Sequence, residues 1–192
     1  VSVSPRRDGP LIWFHAADIA ECSVALPVLF RCLLEYNDKV GVLLTTSSPR
    51  AYALLKDSLP QRVTVQLVPL ENLLCIGLFL RTWRPQAGII MNSPLHPALV
   101  TAASDHGVRL ALLNASMTGE EVIRWHSYVA YRRLLTRLLS RFDLIVPMSD
   151  LDFGHFCLFG AEMRQMPGWC GDLKHASALG AGMWYLSKPA PG

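Results

Sequence analysis

The hydrophobic period of this chain switches again and again between two values, and no other feature limits its fold so tightly. Short runs rich in Val, Ile and Leu stand at 11–15, 39–46, 62–68, 87–91, 108–114 and 143–147. Each is followed by apolar residues at helical spacing, as in Cys22, Ala25, Leu26, Leu29, Phe30, Leu33 and Leu34, and again around 50–58, 71–83, 96–106 and 120–141. Strands that read as continuous apolar runs are buried on both faces, and strands alternating with helices build a parallel sheet between helical layers. The spacing therefore predicts an α/β domain of three layers with a mostly parallel sheet. Pro27 is placed near the first turn of its helix, where proline is tolerated. The breaks at Asn37-Asp38, Ser47-Ser48-Pro49, Pro60, Arg84-Pro85 and Gly107 are ordinary loop chemistry. No internal repeat is visible.

Composition narrows the class. A hydrophobic fraction of 51% over 192 residues excludes disorder. The longest apolar runs, such as CIGLFL, fall far short of the roughly 18 residues that cross a bilayer. A net charge of +3 gives no reason to expect nucleic acid. The five cysteines (Cys22, Cys32, Cys75, Cys157, Cys170) are odd in number, widely spaced and mostly set in apolar helical patterns, which points to a reducing compartment. Arg6 and Arg7 precede an apolar stretch too short for a signal-peptide core, so no targeting segment is in view. The globular domain is expected over 10–176. Residues 177–192, rich in Gly and Pro, read as a linker or frayed tail.

In a parallel sheet, ligands gather beyond the carboxyl ends of the strands. That edge collects Ala16–Glu21, Thr45–Ser48, Pro69–Asn72, Asn92–His96, Asn114–Thr118 and Ser149-Asp150. Asp18 and Glu21 stand there at the turn from the first strand into a helix. Glu21 is either a general base or an acid complementing the helix dipole. The glycine fingerprints of dinucleotide and P-loop sites are absent, as are G-x-S-x-G and H-E-x-x-H. His155, Cys157, Cys170 and His175 match no zinc spacing, so no metal is assigned. A single helix over about 120–142 carries Arg124, Arg132, Arg133, Arg137 and Arg141 without an acid beyond Val122. Arg133, Arg137 and Arg141 share a face, beside Trp125, Tyr128 and Tyr131. Such a helix suits an anionic membrane surface or lipid phosphates, or else is a solvated outer face.

Read in order, these segments resemble the N-terminal domain of the 3-deoxy-D-manno-octulosonic acid (Kdo) transferases. WFHAADIAECSVALP is similar to the family's W-[FIV]-H-A-V-S-V-G-E and A-x-P pattern, keeping Trp13, His15, Ala16, Glu21 and Pro27. LLTTSSP, VPLENLLCIGLFLRTWRP, LLNASMT, RFDLIVPMS and CGDLKHA resemble further family segments, in register from about 10 to 176. The GDLK and IVPMS variants are nearer to plant-type or algal organellar members. Departures are clear too. Where the family reads M-E-x-E-L-W-P this chain has MNSPLHP, so Asn92 and Pro94 replace two acids and His96 a tryptophan. Ser116 replaces an arginine, and Ala20 a glycine.

The resemblance implies the N-terminal half of a GT-B glycosyltransferase, built of two Rossmann-like domains across a cleft. It implies transfer of Kdo from CMP-Kdo to the 6′-hydroxyl of a lipid A precursor, with inversion and without a catalytic metal or other cofactor. Glu21 then corresponds to the general base, while Asp18 aligns with a family serine and has no assigned role. His15, Thr45, Thr46, Asn114, Ser149 and Lys174 are expected to line the acceptor cleft, with Arg124, Arg133, Arg137 and Arg141 facing lipid phosphates. The donor domain is expected to be missing from this chain. The implied location is peripheral, on the cytoplasmic face of an inner membrane, or in a mitochondrion for a plant-type member. Two other readings stand beside this one. The lost acids at MNSPLHP motivate a noncatalytic lipid- or protein-binding module, and the sheet alone would allow an unrelated nucleotide binder, against which the missing glycines argue.

Overall fold

The computed structural model describes residue 6 and residues 9–36, 39–92, 96–168 and 171–173. Six strands, β1 (Leu11–His15), β2 (Gly41–Thr46), β3 (Val63–Leu67), β4 (Ala87–Met91), β5 (Arg109–Ala115) and β6 (Leu144–Pro147), form one sheet in the order β3-β2-β1-β4-β5-β6. Every pairing is parallel. Each strand lies where the hydrophobic period places one, with ends moved by at most two residues. Ile12, Phe14, Val42, Leu44, Val65, Ile89, Leu112 and Ile145 are all in strands.

Alternation along the strands assigns the two faces. Phe14, Val42, Leu44 and Val63 pack beneath α1 (Ile19–Glu35) and α2 (Pro49–Leu55), joined by Cys22, Ala25, Leu29 and Ala51. Leu11, Trp13, Leu43, Leu110 and Leu112 turn the other way. They meet α3 (Leu73–Trp83), α4 (Pro97–Asp105), α5 (Gly119–Ser127), α6 (Val129–Leu139) and α7 (Asp150–Leu158). A 3₁₀ turn, Met163–Gln165, follows α7. Trp13 is fully buried between Leu43 and Gly88 in the register, edge-on to Phe79, with its indole N–H donating to Thr45 Oγ1 at 2.8 Å. Gly88 makes room for it: a Cβ there would stand 2.8 Å from Leu110 and 2.9 Å from the indole.

Three expectations need correction. The basic segment is two helices, broken at Tyr128, whose φ of −128° and ψ of 134° are extended. A single helix over 120–142 would run about 34 Å, whereas strands of four to seven residues span about 13–24 Å, so it would overrun the sheet. Folding back at Tyr128 lets α6 bury Leu135, Leu138 and Leu139. Arg141 therefore lies beyond α6, where it pairs with Asp105 instead of continuing the face of Arg133 and Arg137. Pro27 sits in the ninth position of α1, not in its first turn, because the helix begins at Ile19. Its missing N–H leaves the Ser23 carbonyl without the usual partner. α7 is not among the helical faces the spacing predicts; only Asp152 and Phe156 of its nine residues are buried, too few to give a period.

Candidate active site

The sheet order reverses between β1 and β4. Chain segments leave these two strands in opposite directions, so a crevice opens beyond their carboxyl ends. A cavity of about 250 Å³ occupies it, lined by Asp18, Ala20, Glu21, Val24, Met91, Asn92, Asn114, Ser116 and Met148. These residues come from the ends of β1, β4, β5 and β6, so the sheet's topology assembles the cavity from four separate segments.

The turn after β1 explains why two acids stand there. Asp18 is the N-cap of α1, accepting the Glu21 backbone N–H at 2.8 Å. Glu21 curls back so that Oε2 accepts the Ala17 N–H at 2.6 Å, which satisfies a second donor at the helix start. Oε1 is held differently, by the Asn92 amide N–H at 3.3 Å. Asp18 thus caps the helix, and Glu21, tied to Ala17 and Asn92, lines the cavity. Partial burial pushes the Glu21 carboxyl above its ordinary value, and the nearby Asp18 adds to this, while the Ala17 and Asn92 hydrogen bonds pull the other way.

Asn92 and Asn114 end β4 and β5 with left-handed backbones, φ 65° and 53°. Asparagine is among the few L residues that adopt this region at modest cost. A register shift in β5 between Leu113 and Ala115 accompanies Asn114 and brings Ser116 level with Asn92. Ser116 Oγ–H donates to Asn92 Oδ1 at 2.8 Å, and its backbone N–H to the Asn92 carbonyl at 3.1 Å. Asn114 Oδ1 accepts the Leu173 N–H at 2.9 Å, returning the end of the described chain to the cavity rim.

The other residues expected in the cleft are placed differently. Thr45 and Thr46 are fully buried at the end of β2. Thr45 Oγ1 accepts from Trp13 and donates to the Phe14 carbonyl at 3.2 Å; Thr46 Oγ1 donates to the Ala17 carbonyl at 3.1 Å. They brace the turn carrying Glu21 and do not line the cavity. His15 is 2% exposed, with Nδ1 3.0 Å from Thr45 Oγ1, Nε2 lacking a partner among the described residues, and its ring edge-on to His96 at 4.7 Å. Because Thr45 already gives its proton to Phe14, the contact requires Nδ1–H as donor, which leaves Nε2 a bare lone pair. Burial, with His96 beside it, drives this imidazole down to about 3, so it is a neutral core group. Ser149 is the N-cap of α7, bonded to Asp152, not to the cavity. Lys174, Pro94, Cys170, His175 and the tail 177–192 lie outside the described residues.

Arg124, Arg133 and Arg137 are exposed on the α5–α6 pair, among exposed Ile123, Tyr128, Val129 and Leu134. Asn92 and Ser116 were legible only as departures from a family pattern; the contact of Asn92 with Glu21 and of Ser116 with Asn92 is what the fold adds. Asp152, buried and holding the Met117 N–H at 2.9 Å, had a signal in the S-x-x-D spacing from Ser149. Cys22, Cys32, Cys75 and Cys157 are free thiols, and burial pushes Cys22 up to about 11.

Comparison with known proteins adds the following. Solved structures of similar fold include the UDP-GlcNAc 2-epimerase of Methanocaldococcus jannaschii, with a TM-score of 0.62 at 13% identity, covering 93% of this chain and 50% of that one. Phytolacca americana UGT2, complexed with UDP-2fluoro-glucose and pterostilbene, gives a TM-score of 0.52 at 15% identity, covering 96% and 58%. At these identities the likeness is one of fold. Among curated sequences, the Arabidopsis thaliana protein named "Probable 3-deoxy-D-manno-octulosonic acid transferase, mitochondrial" is 39% identical over 170 residues, 88% of this chain and 37% of its own length. The 3-deoxy-D-manno-octulosonic acid transferases of Rickettsia bellii and Aquifex aeolicus are 28% and 29% identical, over 76% and 90% of this chain and 34% and 42% of theirs. The chain thus spans little more than a third of the curated relatives it matches. The family model described as 3-Deoxy-D-manno-octulosonic-acid transferase (kdotransferase) matches residues 2–177. With that match over nearly the whole chain and a plant relative at 39% identity, the chain belongs to the Kdo transferase family.

Proposed function

We propose that this chain is the acceptor-binding half of a glycosyltransferase that moves Kdo from CMP-Kdo to the 6′-hydroxyl of a lipid A precursor. The observation that carries this reading is the cavity's charge. Among the described residues its lining holds two carboxylates, Asp18 and Glu21, with neutral amides and a hydroxyl and no cation. Such a lining repels the phosphate and carboxylate of CMP-Kdo and accommodates a neutral sugar hydroxyl face, as an acceptor site must.

In the reaction, the acceptor hydroxyl oxygen attacks the anomeric carbon of Kdo while Glu21 takes its proton, and CMP leaves with the bonding electron pair. Attack opposite to the leaving group inverts the anomeric centre, and a carboxylate base needs no metal for the step. Burial suits Glu21 to this task by raising its proton affinity. The second half of the protein holds the donor in line. Exposed Arg124, Arg133 and Arg137 among apolar neighbours on α5 and α6 would seat the domain peripherally on an anionic membrane. No helix among the described residues is long and apolar enough to cross one. The higher identity to the plant relative supports an organellar setting.

Binding experiments test the acceptor assignment. Titrated with the lipid A precursor disaccharide, the chain is expected to show amide shifts at Asn92, Asn114 and Ser116, whereas CMP-Kdo should leave them unmoved. The opposite pattern would assign this half to the donor.

A further inference from the structure

The strand ends around the cavity are closed by main-chain bonds beyond the regular ladder. Asn92 N–H donates to the Leu113 carbonyl at 2.8 Å, and Ser116 N–H to the Asn92 carbonyl at 3.1 Å. These fix the backbones of residues 92 and 116 against one another, with Asn92 turned into the left-handed region. Upon this frame sits a chain of side-chain bonds: Ser116 Oγ–H to Asn92 Oδ1, then Asn92 Nδ2–H to Glu21 Oε1. An amide has one acceptor end and one donor end. An ionised carboxylate only accepts, so the N–H₂ faces Glu21, and the Ser116 hydroxyl, donating to the amide oxygen, holds the amide in that orientation.

We infer that Asn92 and Ser116 form a neutral clamp that orients the Glu21 carboxylate, with Ser116 anchoring the oxygen of the Asn92 amide so that its N–H₂ stays aimed at Glu21. Asn92 and Ser116 are positioning residues. Glu21 Oε2 is already tied to Ala17, so the clamp fixes the second oxygen and removes the remaining rotation of the carboxylate plane. Its neutrality matters chemically. A cation in the place of Asn92 would hold Glu21 ionised and weaken it as a base, whereas an amide supplies direction with a smaller electrostatic effect. The clamp stands on geometry alone; that it serves catalysis rests on the reading of Glu21 as the base.

Carboxyl ¹³C NMR titration of Glu21 in the 192-residue chain tests it. Ser116→Ala touches Glu21 only through Asn92, and loss of a well-aimed donor to the ionised form should raise the Glu21 midpoint by roughly 0.5 pH. Ser116→Thr keeps the hydroxyl and should restore the wild-type midpoint. In an Asn92→Gly background, where the positive φ is kept and the amide is gone, Ser116→Ala should have no further effect. Asn92→Asp, also tolerated at positive φ, should raise the midpoint by about 1 pH or more by placing a like charge at Oε1. An unmoved midpoint in Ser116→Ala or Asn92→Asp, or an undiminished Ser116→Ala shift in the Asn92→Gly background, would overturn the clamp. Failure of the base reading shows elsewhere, as normal turnover of a Glu21→Gln transferase, and would leave these midpoints unchanged.

Discussion

Two titratable groups within seven residues of each other shape the pH response in opposite ways. Glu21 has a raised folded value, so the folded state binds the extra proton between about 4.5 and that value. Its contribution to stability is greatest below 4.5 and is lost as pH rises through the folded value. Glu21→Gln should therefore be more stable than wild type at neutral pH in urea denaturation, and the gain should vanish near pH 4. A constant difference at both pH values would contradict this. His15 has the reverse sign: depressed to about 3 from 6.5, it contributes stability that is full above 6.5 and lost as pH falls through that window. The loss has a slope of at most about 1.4 kcal/mol per pH. His15→Asn should flatten the wild-type decline between pH 6.5 and 4. Asp18→Ala should cost about 1 kcal/mol through the lost cap, while Asp18→Asn, which can still cap, should cost little. Spacing and family resemblance made Glu21 visible at this scale, but not the division of labour between it and Asp18, because hydrogen bonds to Ala17 and Asn92 exist only once β1, α1 and β4 are in place. Asn92 and Ser116 are instructive in the same way. In sequence they are two separate losses of family charges, an acid and an arginine; in space they touch, and their neutral bond leaves no unpaired charge behind.

Secondary elements were legible where their burial is periodic. All six strands and the faces of α1 to α4 follow from apolar spacing, since each packs against the sheet along its length. The spacing gave no sign of the break between α5 and α6, because the basic residues continue across Tyr128 and no Gly or Pro marks it. That break changes the expected membrane behaviour. Reversal of Arg133 and Arg137 to glutamate should abolish binding to anionic vesicles, and salt should weaken it in the wild type. Reversal of Arg141, paired with Asp105 and off the helix, should leave vesicle binding intact. Equal dependence on all three would restore the single-face reading. Within the sheet, Gly88→Ala should cost about 1–3 kcal/mol, since its Cβ would press on two buried side chains, Leu110 and Trp13. A chevron or urea titration showing no loss would mean the indole can move aside.

At the scale of the whole molecule, the strand order decides where chemistry can happen. Right and left halves of the sheet diverge between β1 and β4, and Glu21 and Asn92 meet across that divide although they are 71 residues apart in sequence. The curated relatives extend well beyond this chain's length, and a cavity with no cation among its described lining residues fits the proposal that the donor is held elsewhere. The polypeptide of 192 residues is accordingly expected to bind acceptor and to transfer no Kdo on its own. The most direct test of the account is single-turnover transfer from CMP-Kdo to the lipid A precursor by a full-length transferase carrying this domain, with and without Glu21→Gln. The substitution should leave acceptor binding and the fold intact while lowering the rate on the order of 10²-fold or more. An unchanged rate would contradict the account and return Glu21 to the role of a partner for the start of α1.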